Sequence, residues 1–85
     1  MAKALGLPLD VLLDLPRLEM QGQHVLRIEN HRGLRSINDS RVEVRLRGGL
    51  LRISGHELHL VTLTSSLLVI AGRIRALEFA EGSPP

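Results

Sequence analysis

Apolar and polar residues alternate along most of this chain, which is typical of β-strands with one buried face. The clearest case is residues 41–47, where every second residue is Val or Leu and the residues between them are Arg or Glu. Gly48 and Gly49 follow, and glycine enters the positive-φ conformations of tight hairpin turns without a steric penalty. The pattern therefore predicts a hairpin whose return strand covers residues 50–53.

Turn residues divide the remaining sequence into further short strands. Residues 67–71 are apolar throughout, so we expect a central strand that is buried on both faces. Gly55 and Gly72 are expected to end the strands that precede them. The sequence thus predicts an all-β domain of about seven or eight mainly antiparallel strands. Besides 41–47 and 50–53, the predicted strands are residues 17–21, 25–29, 58–63, 67–71 and 74–79.

A repeated hairpin pattern becomes visible when the turns are aligned. Residues 42–55 resemble residues 58–72, with an offset of 16 residues at the start and 17 at the end, and residues 18–30 form a fainter third copy. A single hairpin is too small to bury its own apolar face, so such units stack or pair continuously. The repeated β-hairpins fit either a meander sheet or a short β-roll.

Residues 1–16 differ from the strands and are predicted to form a short N-terminal lead-in helix or turn. Leu and Asp recur here at helical spacing, which gives an apolar stripe beside an acidic one, and Pro16 must end such a helix. We expect this segment to lie as a lid on the single β domain of residues 17–80; the alternative is an anchor for a membrane surface or a partner. Residues 81–85 are predicted to be a disordered tail.

The chain has 85 residues, which is room for one small domain with a small core. Each buried Leu should therefore matter, and its replacement by Ala is expected to cost about 2–5 kcal/mol. The predicted core consists of Leu18, Met20, Ile28, Val42, Val44, Leu46, Leu51, Ile53, Leu58, Leu60, Leu68, Ile70 and Phe79.

Composition argues against several classes of function. Phe79 is the only aromatic residue, whereas base-stacking nucleic-acid binders need aromatic platforms. There is no Cys, which excludes disulfides, thiolate zinc sites and thiol nucleophiles. The net charge of +2 is too small for strong counterion-release binding to nucleic acid. No signal peptide or membrane-spanning run is visible, so we expect a cytoplasmic protein.

The residue types that most often carry chemistry are present but are not arranged for it. His56 and His59 would lie on opposite faces of a strand, where they cannot share a metal ion. Ser65 and Ser66 lie in a predicted turn without the glycine pattern of a nucleophile elbow. We therefore expect no catalytic residue, no metal, no cofactor and no small-molecule substrate: the chain is predicted not to be an enzyme.

Three arginines are the first candidates for contact with a partner. Arg41, Arg45 and Arg47 share one face of the strand predicted at residues 41–47. Glu43 lies between them on the same face, so this surface is either a solvated sheet face with cross-strand ion pairs or an electrostatic docking surface.

The segment Asn30, His31, Arg32 and Gly33 is the second candidate. Asn and Gly both tolerate left-handed backbone, so we expect a tight turn in which Asn30 bonds locally. His31 and Arg32 would then be displayed at the tip of the turn, where a partner could contact them.

Edge strands are the remaining candidate surface. A sheet that does not close leaves unpaired N–H and C=O groups on its outer strands. Because residues 67–71 are expected inside the sheet, residues 17–21 and 41–47 are the expected edges. Arginine at an edge discourages random aggregation and still allows pairing with a chosen partner.

Six segments, taken in their order and spacing, resemble a known family. They are LPLDV at 7–11, DLPR at 14–17, IENHRG at 28–33, GLLRISG at 49–55, IAGRI at 70–74 and LEF at 77–79. Together they resemble the YabP/YqfC family of small sporulation proteins of endospore-forming Firmicutes, and the YqfC type in particular. One departure is Ala71, where an acidic residue is expected before the glycine.

The resemblance implies context more than mechanism. Such proteins are made in the mother cell during sporulation and are not known as enzymes, and the YqfC type is usually encoded beside a larger membrane-bound sporulation protein. The resemblance thus implies a non-enzymatic adaptor or structural component in the mother-cell cytoplasm, or at the periphery of the forespore outer membrane. The membrane-bound protein is the expected partner, and self-association through a sheet edge comes second. A small basic nucleic-acid-binding β protein is the alternative.

Overall fold

A computed structural model describes residues 13–81 of the chain. Most of the predicted lead-in helix or turn, and all but the first residue of the predicted tail, lie outside the described residues. Within them, the chain forms a 6-stranded sheet with the order β1-β2-β6-β5-β4-β3, in which every neighbouring pair is antiparallel. The predicted all-β, antiparallel fold is confirmed. The strands are β1 (Arg17–Gln21), β2 (Val25–Glu29), β3 (Leu34–Ile37), β4 (Arg41–Leu46), β5 (Gly49–Leu63) and β6 (Leu67–Glu81).

The expected number of strands was too high because two glycines that were expected to end strands lie inside them. β5 and β6 have 15 residues each and continue through Gly55 and Gly72. A Cβ at Gly55 would overlap the carbonyl oxygen of Arg73, and a Cβ at Gly72 would lie 2.6 Å from that of Glu57. These glycines are therefore needed where two backbones approach closely, not where the chain turns. The sequence pattern also missed the short strand β3, which brings the observed number of strands to six.

The long hairpin of β5 and β6 contributes to both halves of the sheet: one half contains β1 and β2, and the other contains β3 and β4. β2 pairs with β6 along residues 67–71, near the hairpin turn, whereas β4 pairs with β5 along residues 49–54, at the open end. Ile28 from one half and Val44 from the other have no exposed surface and belong to the same core cluster. Because a flat single sheet leaves its side chains open to solvent, the two halves must curl over and cover each other. The sheet is thus rolled rather than a flat meander.

Most of the predicted core is confirmed. Leu18 and Leu60 are partly buried against the core cluster. The prediction that Met20 and Phe79 are core residues was wrong, because their exposed fractions are 40% and 66%. Leu26, Leu50 and Ile74 are buried although they were not predicted. The confirmed core residues are Ile28, Val42, Val44, Leu46, Leu51, Ile53, Leu58, Leu68 and Ile70.

The two errors in the core have one physical cause. Met20 lies opposite buried Leu26, and Phe79 lies opposite buried Leu51, so both are on the core-facing side of the sheet. Each belongs to a strand segment at the margin of the roll, where the other half no longer covers it. Alternation predicts the face of a side chain, but it does not predict where the covering layer ends.

The edges of the sheet match the expectation on one side only. β1 is an edge, as predicted, but β4 lies between β5 and β3, and the short β3 is the outer strand there. The expected central position of residues 67–71 is confirmed, because β6 lies between β2 and β5. Leu68 and Ile70 are buried, while Leu67 and Val69 on the other face are half-buried.

Candidate functional site

The loop of residues 30–33, which we call the 30–33 loop, carries the chain from one half of the roll to the other. Asn30 adopts a φ of 65°, the left-handed conformation that its side chain tolerates. Its N–H donates to the Ser66 carbonyl at 2.6 Å. At the other end, Arg32 N–H donates to the Arg45 carbonyl and Arg45 N–H donates to the Gly33 carbonyl, both at 2.7 Å. The loop is therefore bound through its backbone to the β5–β6 turn and to β4.

His31 lies inside this loop and not at its tip. It is 5% exposed, and its Nε2 lies 2.9 Å from the Thr64 carbonyl oxygen. The Gly33 N–H donates to Nδ1 at 2.9 Å. Since Nδ1 accepts this bond, the hydrogen of the ring lies on Nε2, which donates to Thr64. The expectation that His31 is displayed to a partner was wrong: a buried imidazole satisfies two backbone groups of its own chain.

Asn30 and Arg32 bind the segment that precedes β1. Arg32 Nη2 lies 2.6 Å from Asp14 Oδ2, and Asn30 Nδ2 donates to Asp14 Oδ1 at 2.9 Å. The local bond expected for Asn30 is present as well, since its Oδ1 accepts from Arg32 Nη1 at 2.9 Å. The hydrogen bond from Asn30 and then the positive charge of Arg32 lower the pKa of Asp14 below its ordinary value of 3.8. Sequence reasoning missed this role of Asp14, because no local pattern indicates a partner 16 or 18 residues away.

The three arginines of the other candidate surface are not equivalent. Arg41 and Arg45 are exposed on the outward face of β4, whereas β4 ends at Leu46 and Arg47 lies in the turn that follows. Arg47 Nη1 donates to the Leu13 carbonyl at 2.6 Å. Among residues 13–81, no acidic side chain forms an ion pair with Arg41 or Arg45.

Glu43, the carboxylate between these arginines, is used by other residues. Arg52 Nε lies 2.9 Å from Glu43 Oε2, and Ser36 Oγ donates to Glu43 Oε1 at 3.3 Å. The hydrogen bond from Arg52 is the main cause that lowers the pKa of Glu43, and Glu43 in turn is the main cause that raises the pKa of Arg52. Glu43 therefore does not offset Arg41 and Arg45, which leaves a positive stripe on the outward face of β4.

No cluster of three or more His, Cys, Asp or Glu side chains that could hold a metal ion occurs within residues 13–81. His56 and His59 are both exposed on β5. None of the described helical residues forms a segment long and apolar enough to cross a membrane. The chemically reactive residue types of this region are thus distributed over its surface or used for internal hydrogen bonds.

Comparison with known proteins identifies the family. The family model of the YabP family matches residues 14–85, which is most of the chain. The chain belongs to the YabP family. It is also similar to the uncharacterized protein YqfC of Bacillus subtilis (strain 168), with 33% identity over 81 residues that cover 95% of this chain and 87% of that protein. No solved structure matches the chain significantly.

Membership of the YabP family agrees with the resemblance found in the sequence. The family suggests a sporulation-related protein and is not a known enzyme family. The match begins at Asp14, so it includes the Asp14 carboxylate and the whole 30–33 loop that binds it.

Proposed function

We propose that this protein is a non-enzymatic sporulation protein that acts in the mother cell as an adaptor or structural component beside a membrane-bound sporulation protein. Its membership of the YabP family is the observation that carries the proposal. The similarity to YqfC supports it, because that relative is matched over nearly its whole length. We place the protein in the mother-cell cytoplasm, or at the periphery of the forespore outer membrane.

The outward face of β4 is the surface that we assign to the partner. Arg41 and Arg45 are two residues from Glu43 on either side, and Glu43 is already bound to Arg52. Arginine stripes without an internal counter-charge are suited to acidic segments, since guanidinium groups bind carboxylates in a bidentate manner. An acidic stretch in the soluble part of the membrane-bound protein would therefore fit this face.

A pull-down with that soluble part tests the surface. The variant Arg41→Glu with Arg45→Glu should lower capture by about tenfold or more, because it replaces attraction by repulsion at the centre of the proposed contact. The matched control, Arg73→Glu with Arg75→Glu, makes the same change in net charge on exposed residues that form no ion pair within residues 13–81. Undiminished capture of the folded Arg41, Arg45 variant would reject this surface. Failure of the wild type to bind the soluble part at all would reject the adaptor role.

Arg32 is left out of this test, although the sequence suggested it. Its side chain binds Asp14 and Asn30, so Arg32→Glu would place two carboxylates against each other and disturb the 30–33 loop. A loss of binding in that variant would not separate a lost contact from a damaged loop.

Nucleic acid is the second candidate partner for the same two arginines. The observation that favours it is the exposure of Arg41 and Arg45 without an ion pair in residues 13–81. A gel shift at about 150 mM salt separates the candidates, because binding through phosphate contacts weakens steeply with salt. No shift is expected for an adaptor, whereas a salt-sensitive shift that Arg41→Glu abolishes would favour nucleic acid.

A further inference from the structure

Among residues 13–81, the second half of β6, residues 76–81, has no neighbouring strand on one side and carries apolar side chains. It pairs with β5 on its other side. β2 pairs with β6 only as far as Ala71, and the carbonyls of His24 and Gln23 accept from Gly72 and Ile74 just beyond it. Leu77 is 36% exposed and Phe79 is 66% exposed, although Phe79 is the only aromatic residue of the chain. Natural edge strands are usually protected by charges, prolines or bulges, so an apolar edge indicates an interaction surface.

The other edges of the described sheet carry such protection. β1 presents Arg17, Glu19 and Gln21, all exposed. β3 has four residues and an irregular register. The second half of β5 is interrupted by two register shifts. Residues 76–81, by contrast, keep an unbroken register with residues 49–54, so this segment can accept another straight strand.

The backbone groups of Leu77 and Phe79 point toward this open edge. Gly55 N–H donates to the Ser40 carbonyl, so it points to the side of β5 on which β4 lies. The direction of the N–H groups alternates from one residue to the next along a strand. The backbone groups of Arg52 therefore point to β6, where its register partner Glu78 returns the bonds. It follows that the N–H and C=O groups of residues 77 and 79 point away from β5 and are available to a further strand.

We propose that this edge binds a second copy of the chain, with β6 against β6 in antiparallel orientation about a two-fold axis at Glu78. This register places Leu77 of each copy opposite Phe79 of the other. Apolar pairs are among the favourable cross-strand pairs of antiparallel sheets. Arg75 lies outside the paired segment, because the register with β5 shifts between residues 74 and 76. The same short segment thus supplies both halves of a self-complementary interface.

Neighbouring registers do not match the side chains in this way. A shift in one direction places Phe79 opposite itself and Leu77 opposite Glu81. A shift in the other places Leu77 opposite itself and leaves Phe79 beyond the straight segment of residues 76–81. In the proposed register only Glu78 meets its own copy, and each Glu78 carboxylate already lies 3.2 Å from Arg52 Nη1. Each of the two Glu78 carboxylates at the axis therefore has the guanidinium group of its own Arg52 beside it.

Sedimentation equilibrium of the full chain over about 5–500 µM tests the dimer. We expect a reversible monomer–dimer equilibrium with a Kd on the order of 10–100 µM, because one pair of edge strands is a small interface. Leu77→Lys and Phe79→Glu should each weaken self-association about tenfold or more, since each places a charge opposite an apolar side chain. An equimolar mixture of the two variants should form a heterodimer, because the two introduced charges are then opposite each other and the remaining Leu77 meets the remaining Phe79. Val61→Lys is the matched control, since it introduces a charge at an exposed apolar residue outside the paired segment.

Crosslinking gives a second test that does not depend on charge. The chain has no Cys, so a single introduced thiol reports on its own position. Residue 78 of the two copies would form a non-hydrogen-bonded pair at the axis, where side chains approach most closely. Glu78→Cys should therefore form a disulfide-linked dimer under mild oxidation. Val61→Cys, at an exposed position on β5, should stay monomeric.

Three results would overturn the proposal. The first is a wild-type chain that remains monomeric up to about 500 µM, the highest concentration of the series. The second is a dimer that Leu77→Lys and Phe79→Glu leave unchanged. The third is equal crosslinking of Glu78→Cys and Val61→Cys, which would indicate random collision.

Discussion

The 30–33 loop and the β6 edge of residues 76–81 stand in contrast within one small sheet. The loop is built from Asn, His, Arg and Gly, the residue types that most often serve partners or substrates, yet its polar groups bind Asp14, Thr64 and β4 of the same chain. The edge consists of Ala, Leu, Glu and Phe, but no strand among residues 13–81 pairs with the backbone groups of residues 77 and 79, and Phe79 is 66% exposed.

The contrast shows that, in a chain this small, the type of a residue does not by itself predict whether it contacts other molecules. A domain of 85 residues has few core positions, so polar side chains help to join its two halves. Buried polar groups stabilise a fold only when their hydrogen bonds are satisfied, as those of His31 are. Surfaces for other molecules are then left to groups that no bond within residues 13–81 uses, such as the side chains of Arg41 and Arg45 and the edge of β6.

The largest expected effect comes from breaking the loop at His31. His31→Ala removes a buried ring that satisfies the Thr64 carbonyl and the Gly33 N–H, and an unsatisfied buried group costs about 1–3 kcal/mol. We therefore expect the free energy of unfolding to fall by about 2–4 kcal/mol in urea denaturation. His59→Ala is the matched control: His59 is exposed, so its loss should be within about 0.5 kcal/mol. Equal effects of the two substitutions would contradict the internal role of His31.

A smaller effect is expected at the β6 edge. Phe79→Ser removes the largest side chain of the edge, but that side chain is 66% exposed, so unfolding of the dilute monomer should change by only about 0.5–1 kcal/mol. The same substitution should abolish self-association at high protein concentration. Urea denaturation at low concentration and sedimentation at high concentration separate the two quantities. A loss as large as that of His31→Ala would show that Phe79 supports the fold itself.

The smallest expected effect is a pH dependence that arises at Asp14. Its pKa is lowered in the folded chain, first by the hydrogen bond from Asn30 and then by the charge of Arg32, so the ionised carboxylate stabilises the fold. This contribution is fully present above the ordinary pKa of 3.8 and is lost as the pH falls through the lowered folded-state pKa. Asp14→Asn should therefore flatten the pH dependence of unfolding below about pH 4.

Glu43 contributes a pH dependence in the same range, because Arg52 lowers its pKa. The two contributions are separated by comparing Asp14→Asn, Glu43→Gln and the double variant in urea denaturation between about pH 2 and pH 6. Each single variant should remove part of the slope, and the double variant should remove more than either. An unchanged slope in Asp14→Asn would show that the bond to the 30–33 loop is not formed in solution.

The local sequence pattern predicted those features of the fold that residues close together in the sequence determine. The alternation of residues 41–47 gave the position and inner face of β4, and the Gly48 turn gave its hairpin with β5. Local sequence did not predict what depends on distant segments. The burial of His31 requires Thr64, 33 residues away, and the continuation of β5 through Gly55 requires the backbone of Arg73.

Burial at the margins of the roll shows the same limit. Met20 and Phe79 have the period of core residues, and the register places them on the core-facing side. Their exposure is decided by how far the opposite half of the sheet extends, which is a property of the assembled roll. The candidate surface at β6 could not be found from sequence for the same reason, since Leu77 and Phe79 fit a buried strand equally well.

The pairing of β2 with β6 has a consequence for the order of folding. Every other neighbouring pair in the sheet joins strands that follow each other along the chain, whereas residues 25–29 must meet residues 67–71. Contacts between segments distant in sequence form late, because closing the intervening loop costs entropy before any contact forms. The β3–β6 meander should therefore form first, with the β1–β2 hairpin docking last. During synthesis, Leu26 and Ile28 then stay exposed until residues 67–71 have emerged, and for that interval the β1–β2 hairpin is the segment most open to chaperones and to misassembly.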